Sequence, residues 1–179
     1  MLAHFRTFRR FANRSVKNTR GAAAVEFALI AAPLIFLIFS CIELALVILL
    51  SVTLDSATDK AARDIRTGIT TQGNSTANSF KQTVCQGMGW LAGDCMSRLH
   101  LEVQTYDTFS AIPLTDPIKN GKFYPAVFPY KIGGGSKIQM VRAYYEWTLF
   151  TPFLNGGLTS LSNKDTVVSA RVIFRNEPF

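Results

Sequence analysis

From Ala22 to Leu50 the chain is apolar almost without interruption, and the ionisable residues in that stretch are Glu26, Cys41 and Glu43. About 20 apolar residues suffice for a helix to cross a bilayer, so 22–50 is long enough to span. After Leu50 the pattern changes. Leu50, Leu54, Ala57, Ala61 and Ile65 recur every three or four positions, and Asp55, Asp59, Lys60, Arg63 and Arg66 fall mostly between them. That is the period of an amphipathic helix. One helix over 22–68 accounts for both patterns, with Pro33 as a tolerated interruption and Gly68 as its C-cap. Such a helix is roughly 70 Å long at 1.5 Å per residue. Its outer half, 51–68, therefore has to pack on something, and the following segment is the natural partner.

Residues 69–179 read as a small α+β head. "TTQGNSTANS" is a turn-rich linker. Phe80, Val84, Met88 and Leu91 mark a short second helix. "RLHLEVQTY" alternates, with Leu99, Leu101 and Val103 on one face and Arg98, His100, Glu102 and Gln104 on the other, as a half-buried strand does. Residues 107–137 hold Pro113, Pro117, Pro125, Pro129 and the run Gly133–Gly135, and read as a long irregular loop. "KIQMVRAYYEWTLF" is a second strand stopped by Pro152, and "DTVVSARVIFR" a third. Strands joined by turns, with no helix between the last two, predict an antiparallel sheet.

Charge sharpens this picture. The formal net charge is +7, but Arg6, Arg9, Arg10, Arg14, Lys17 and Arg20 all precede the apolar run; without them 13 basic residues stand against 12 acidic ones. The domain itself is not basic, which removes the main support for nucleic-acid binding. Basic residues ahead of a single apolar span predict a cytoplasmic N-terminus and an outward head. Cys41 lies inside the apolar run. Cys85 and Cys95 lie beyond it, on the side where disulfides persist, and a Cys85–Cys95 bridge is expected.

Candidate chemistry is sparse. His4 falls in the basic leader and His100 on a polar strand face. No metal-ligand spacing or nucleophile motif is present, and the chain calls for no cofactor. Tyr144, Tyr145, Trp147, Phe150 and Phe153 are expected chiefly in the core. Gly133–Ser136 reads as a flexible turn. An enzyme is not expected, although a tethered hydrolase using acids of the 107–137 loop is a third and weaker alternative.

The informative feature is Gly21–Ala22–Ala23–Ala24–Val25–Glu26–Phe27. A basic leader, a glycine, four small or apolar residues and then Glu-Phe opening an apolar helix form the type IV prepilin processing pattern. The longer stretch "RGAAAVEFALIAAPLIFLIFSCIEL" resembles the TadE-like proteins of the tight-adherence (Tad, or Flp) pilus system, as does the ending "RNEPF". The resemblance implies a pilin-like minor pseudopilin. Residues 1–21 would be a cytoplasmic leader removed by a prepilin peptidase between Gly21 and Ala22. Residues 22–50 would be the transmembrane half of the long helix, 51–68 its periplasmic half and 69–179 a periplasmic head. Partners would be the peptidase, other pilin and pseudopilin subunits, the inner-membrane Tad assembly platform and membrane lipid. The protein would sit in the bacterial inner membrane or join the pilus at its tip or base, and serve adhesion.

The resemblance also assigns assembly roles to Glu26 and Phe27. In pilins the fifth-residue glutamate is thought to meet the N-terminal amine of a neighbour. A carboxylate in the bilayer costs roughly 2.5–3.5 kcal/mol and is usually paired; the plainer reading has Glu26 snorkelling to headgroups. Glu43, about 32 Å further along the helix, is either an outer-interface residue or a second polar contact between packed helices. The alternative for the whole chain is an uncleaved signal-anchor protein whose outer domain binds a ligand or envelope partner.

Overall fold

The computed structural model describes residues 19–113, 117–125, 128–151 and 155–179. Helix α1 runs Thr19–Arg66, α2 Ala77–Gly87, α3 Ala92–Arg98 and α4 Asn155–Leu158; the strands are β1 Leu99–Tyr106, β2 Ile118–Lys119, β3 Lys122–Phe123, β4 Ile138–Thr148 and β5 Asp165–Arg175. The architecture is α+β: a long apolar helix, short helices and small antiparallel sheets. The chain divides into two units between Ile42 and Glu43, a boundary inside α1.

In the first unit the helix exposes its large apolar side chains; Phe27 is 73% and Leu29 71% exposed. Water does not tolerate such a continuous surface, and this helix is long and apolar enough to cross a membrane. The expected leader, 1–21, lies mostly outside the described residues; what is described of it, from Thr19, is already helical.

In the second unit the amphipathic stretch does what its period requires. Leu50, Leu54, Ala57, Ala61 and Ile65 are buried with Phe80 and Val84 of α2 and with Leu99, Val103, Val141, Ala143, Tyr145, Val168, Ala170 and Phe174 of the sheet. The small residues let the sheet and α2 approach closely: a Cβ on Gly87 would lie 3.0 Å from Ala57 Cβ. Thr76 and Ser79 start α2 with a reciprocal capping box, which satisfies two amides the helix itself leaves open. Cys85 of α2 and Cys95 of α3 are joined in a disulfide, with their Cα atoms 5.6 Å apart. The expected cysteine loop thus carries a 3₁₀ turn and a second short helix.

The main sheet has the order β1-β4-β5, antiparallel throughout. The strand boundaries fall within a few residues of the sequence pattern, with one informative exception: β4 stops at Thr148, short of Pro152, which is outside the described residues along with Phe153. The 107–137 segment also differs from expectation. It carries a two-residue hairpin, β2–β3, whose corner residues Asn120 and Gly121 both have positive φ (52° and 69°). That is the turn that Asn-Gly favours.

This segment roofs the second face of the sheet. Phe123 packs edge-on to His100, and Phe128 packs against Tyr144. Ile112 joins Ile138 and Met140. The strand face read as polar is therefore covered, and its charges are paired across strands. Arg142 Nη2 lies 2.7 Å from Glu102 Oε2, both side chains under a tenth exposed. His100 Nε2 lies 2.9 Å from Glu146 Oε1. Burial, aided by the charge of Lys81, pushes the His100 pKa down against the opposing pull of Glu146.

Candidate functional site

Two regions carry the residues that the sequence singles out. The first is the start of α1. Gly21, Ala22, Glu26 and Phe27 all lie in regular helix and all are exposed. Among the described residues, a Cβ placed on Gly21 would meet nothing within 4 Å, and its φ is not one that favours glycine. Neither packing nor backbone conformation here asks for glycine at this position. Ala22 and Glu26 stand four residues apart, one turn along one helix face.

The second region belongs to the head and centres on Glu43. This carboxylate is fully buried. Its Oε1 accepts the backbone N–H of Phe150 at 2.5 Å and its Oε2 that of Thr151 at 2.8 Å. The structure thus places Glu43 against backbone of its own chain. Two consecutive amides gripping one carboxylate form charge-assisted hydrogen bonds, the strong kind. They also explain where β4 ends, since amides turned toward Glu43 cannot extend a ladder. Leu149 is tucked in beside them and Phe150 is left half exposed. Tyr144 and Tyr145 are buried as expected.

The far end of α1 is tied down as well. Glu177 N–H donates to the Arg66 carbonyl at 2.9 Å, and the Arg66 guanidinium lies 3.6 Å from the Glu177 carboxylate. Gly68, with φ +79°, ends the helix under the Phe179 ring, which a Cβ there would approach to 2.7 Å. Asn176 Nδ2 donates to the carbonyls of Gly133 and Gly134. A Cβ on Gly135 would lie 2.9 Å from Phe179 N. The triple glycine, read as a flexible turn, is the cradle for the C-terminal tail. Its backbone role has no side-chain period to announce it.

Among the described residues, no group of three His, Cys, Asp or Glu side chains is placed to hold a metal ion. Cys41 is a free, exposed thiol on the apolar helix.

The fold and these sites define a chain with one helix long and apolar enough to cross a membrane and an α+β head. Residues 21–63 match the family model for TadE-like protein. No curated protein and no solved structure matches the chain.

Proposed function

We propose that the chain is a minor pseudopilin required to assemble a Tad/Flp pilus used in adhesion. In this reading a prepilin peptidase cuts between Gly21 and Ala22. The helix then holds the protein in the bacterial inner membrane, N-terminus toward the cytoplasm and head in the periplasm, until it meets other pilin subunits and the assembly platform. The observation that carries the reading is Gly21 itself. It is a glycine that the packing around it does not require, followed at the fifth position by an acid in an apolar helix. A peptidase that needs an unobstructed peptide bond supplies the missing reason.

Cleavage would create an amine at Ala22 one turn from Glu26. A carboxylate and an amine in a low-dielectric medium attract strongly, although desolvation offsets much of the gain. The benefit is register and choice of neighbour more than affinity. Phe27, an exposed aromatic side chain, would then lie in the same subunit contact. The experiment is complementation of a strain lacking this chain. The wild-type gene should restore surface pili. Glu26→Leu should yield a stable, membrane-inserted protein and no pili. Normal piliation with Glu26→Leu would remove the assembly role.

A further inference from the structure

The two edges of the main sheet are not alike. The outer edge of β1 is bridged at its middle: Val103 N–H donates to the Pro129 carbonyl at 2.9 Å, and Lys131 N–H to the Val103 carbonyl at 2.8 Å. The outer edge of β5 has no strand beside it among the described residues. Its ends are tied, with the Asp165 carbonyl accepting from Ser160 and Leu161, and Glu177 N–H donating to the Arg66 carbonyl. The run between them, 166–174, is left open. Open strand edges invite pairing, and proteins normally cover or charge them.

Beside this edge lies a groove of about 590 Å³ between β5 and α1, with Ala62, Val172 and Phe174 as its apolar lining and Asp59, Lys60, Arg63, Arg66 and Glu177 as its charged lining. On the opposite face of β5, Arg171 and Arg175 are exposed, and no carboxylate lies within ion-pair distance of either among the described residues. An added strand would therefore set alternate side chains over Val172 and Phe174, at the apolar part of the groove, and lay the others beside two arginines.

A second copy of the chain does not fit. Thr151 meets Glu43 near the strand's start, where Thr148 pairs with Asp165; Glu177 meets Arg66 at its end. Ten steps of strand cover roughly 33 Å, and Glu43 to Arg66 covers roughly 35 Å of helix. So β5 runs along α1 in the same direction. Antiparallel pairing of two β5 strands would run the Glu43–Arg66 segments of the two copies in opposite directions, against the anchored reading above, on which this point rests. Parallel pairing would set Arg171 and Arg175 against their own copies, which is repulsive.

We infer that the β5 edge is a docking site for an extended segment of a different protein, added as a fourth strand, with apolar residues toward the groove and carboxylates four residues apart toward Arg171 and Arg175. Main-chain hydrogen bonds supply the affinity of such an addition and alternate side chains its specificity.

The test uses the full chain in detergent micelles and a fluorescein-labelled peptide, acetyl-Thr-Val-Glu-Val-Thr-Val-Glu-Val-Thr-amide. Anisotropy reads binding, hydrogen exchange locates it, and light scattering reports the oligomeric state. The expected result is saturable binding to a monomer, with new amide protection confined to 166–174. Arg171→Glu/Arg175→Glu should weaken binding by roughly tenfold and let the same peptide with lysine for glutamate bind instead. No saturable binding at millimolar peptide means the arginines merely guard the edge and overturns the proposal. So does protection elsewhere, or a dimer paired through β5. Binding that the charge reversal leaves unchanged overturns the acidic partner.

Discussion

Glu43 Oε2 lies 2.8 Å from the backbone nitrogen of Thr151, across 108 residues of chain. The relationship joins the first residue of the head's helix to the loop that ends β4. Hydrogen bonds to charged groups contribute about 1.5–3 kcal/mol each, and stranding a buried donor costs about as much. Glu43→Ala leaves two amides without their acceptor and should destabilise the head by about 3 kcal/mol. Glu43→Gln keeps one acceptor oxygen and should lose about half as much. Thermal unfolding of the detergent-solubilised protein measures both. Equal stability of all three would mean that the contact adds nothing.

Gly68→Ala should destabilise by about 1–2 kcal/mol, the cost of a left-handed conformation for a residue with a Cβ, and should also push Phe179 away. Gly134→Ala is the control: its Cβ meets nothing within 4 Å and its φ is not positive. The check is unfolding temperature together with proteolysis of the C-terminal tail. The tail should loosen in the first variant and stay protected in the second.

Removing one member of the buried Glu102–Arg142 pair is expected to cost about 3–5 kcal/mol, because the other charge is left in a dry site. Replacing both with apolar residues, Glu102→Leu with Arg142→Met, should cost far less. Denaturant unfolding of the single and double variants decides this, and additive losses would contradict the coupling.

The Cys85–Cys95 bridge closes a short loop, worth about 2–3 kcal/mol through the unfolded chain. Cys85→Ala/Cys95→Ala should lower the unfolding temperature without changing circular dichroism at room temperature. The wild type under reductant should behave the same way.

Much of this was legible in the sequence because side-chain period reports burial. The spacing of Leu50, Leu54, Ala61 and Ile65 gave the helix face, and the alternation in "DTVVSARVIFR" gave β5 with its boundaries. Asn120–Gly121 carried a hairpin signal that the surrounding prolines obscured. Glu102 reads as a solvent residue by alternation, since no local pattern says that a loop will roof it and Arg142 will neutralise it. The partners of Glu43 were hidden for a related reason. They are backbone amides of Phe150 and Thr151, and any residue but proline supplies one. The start of α1 is the opposite case, where the motif is explicit and the local structure adds that Gly21 has no packing role.

The most direct test of the pseudopilin account is the mass of the mature N-terminus. The chain should be expressed with its cognate prepilin peptidase, beside a Gly21→Trp variant, and the membrane-bound product analysed by intact and N-terminal peptide mass spectrometry. The account predicts a chain beginning at Ala22 for the wild type and an uncut chain for the variant. A wild-type product that keeps Met1, at the same mass with and without the peptidase, would contradict it.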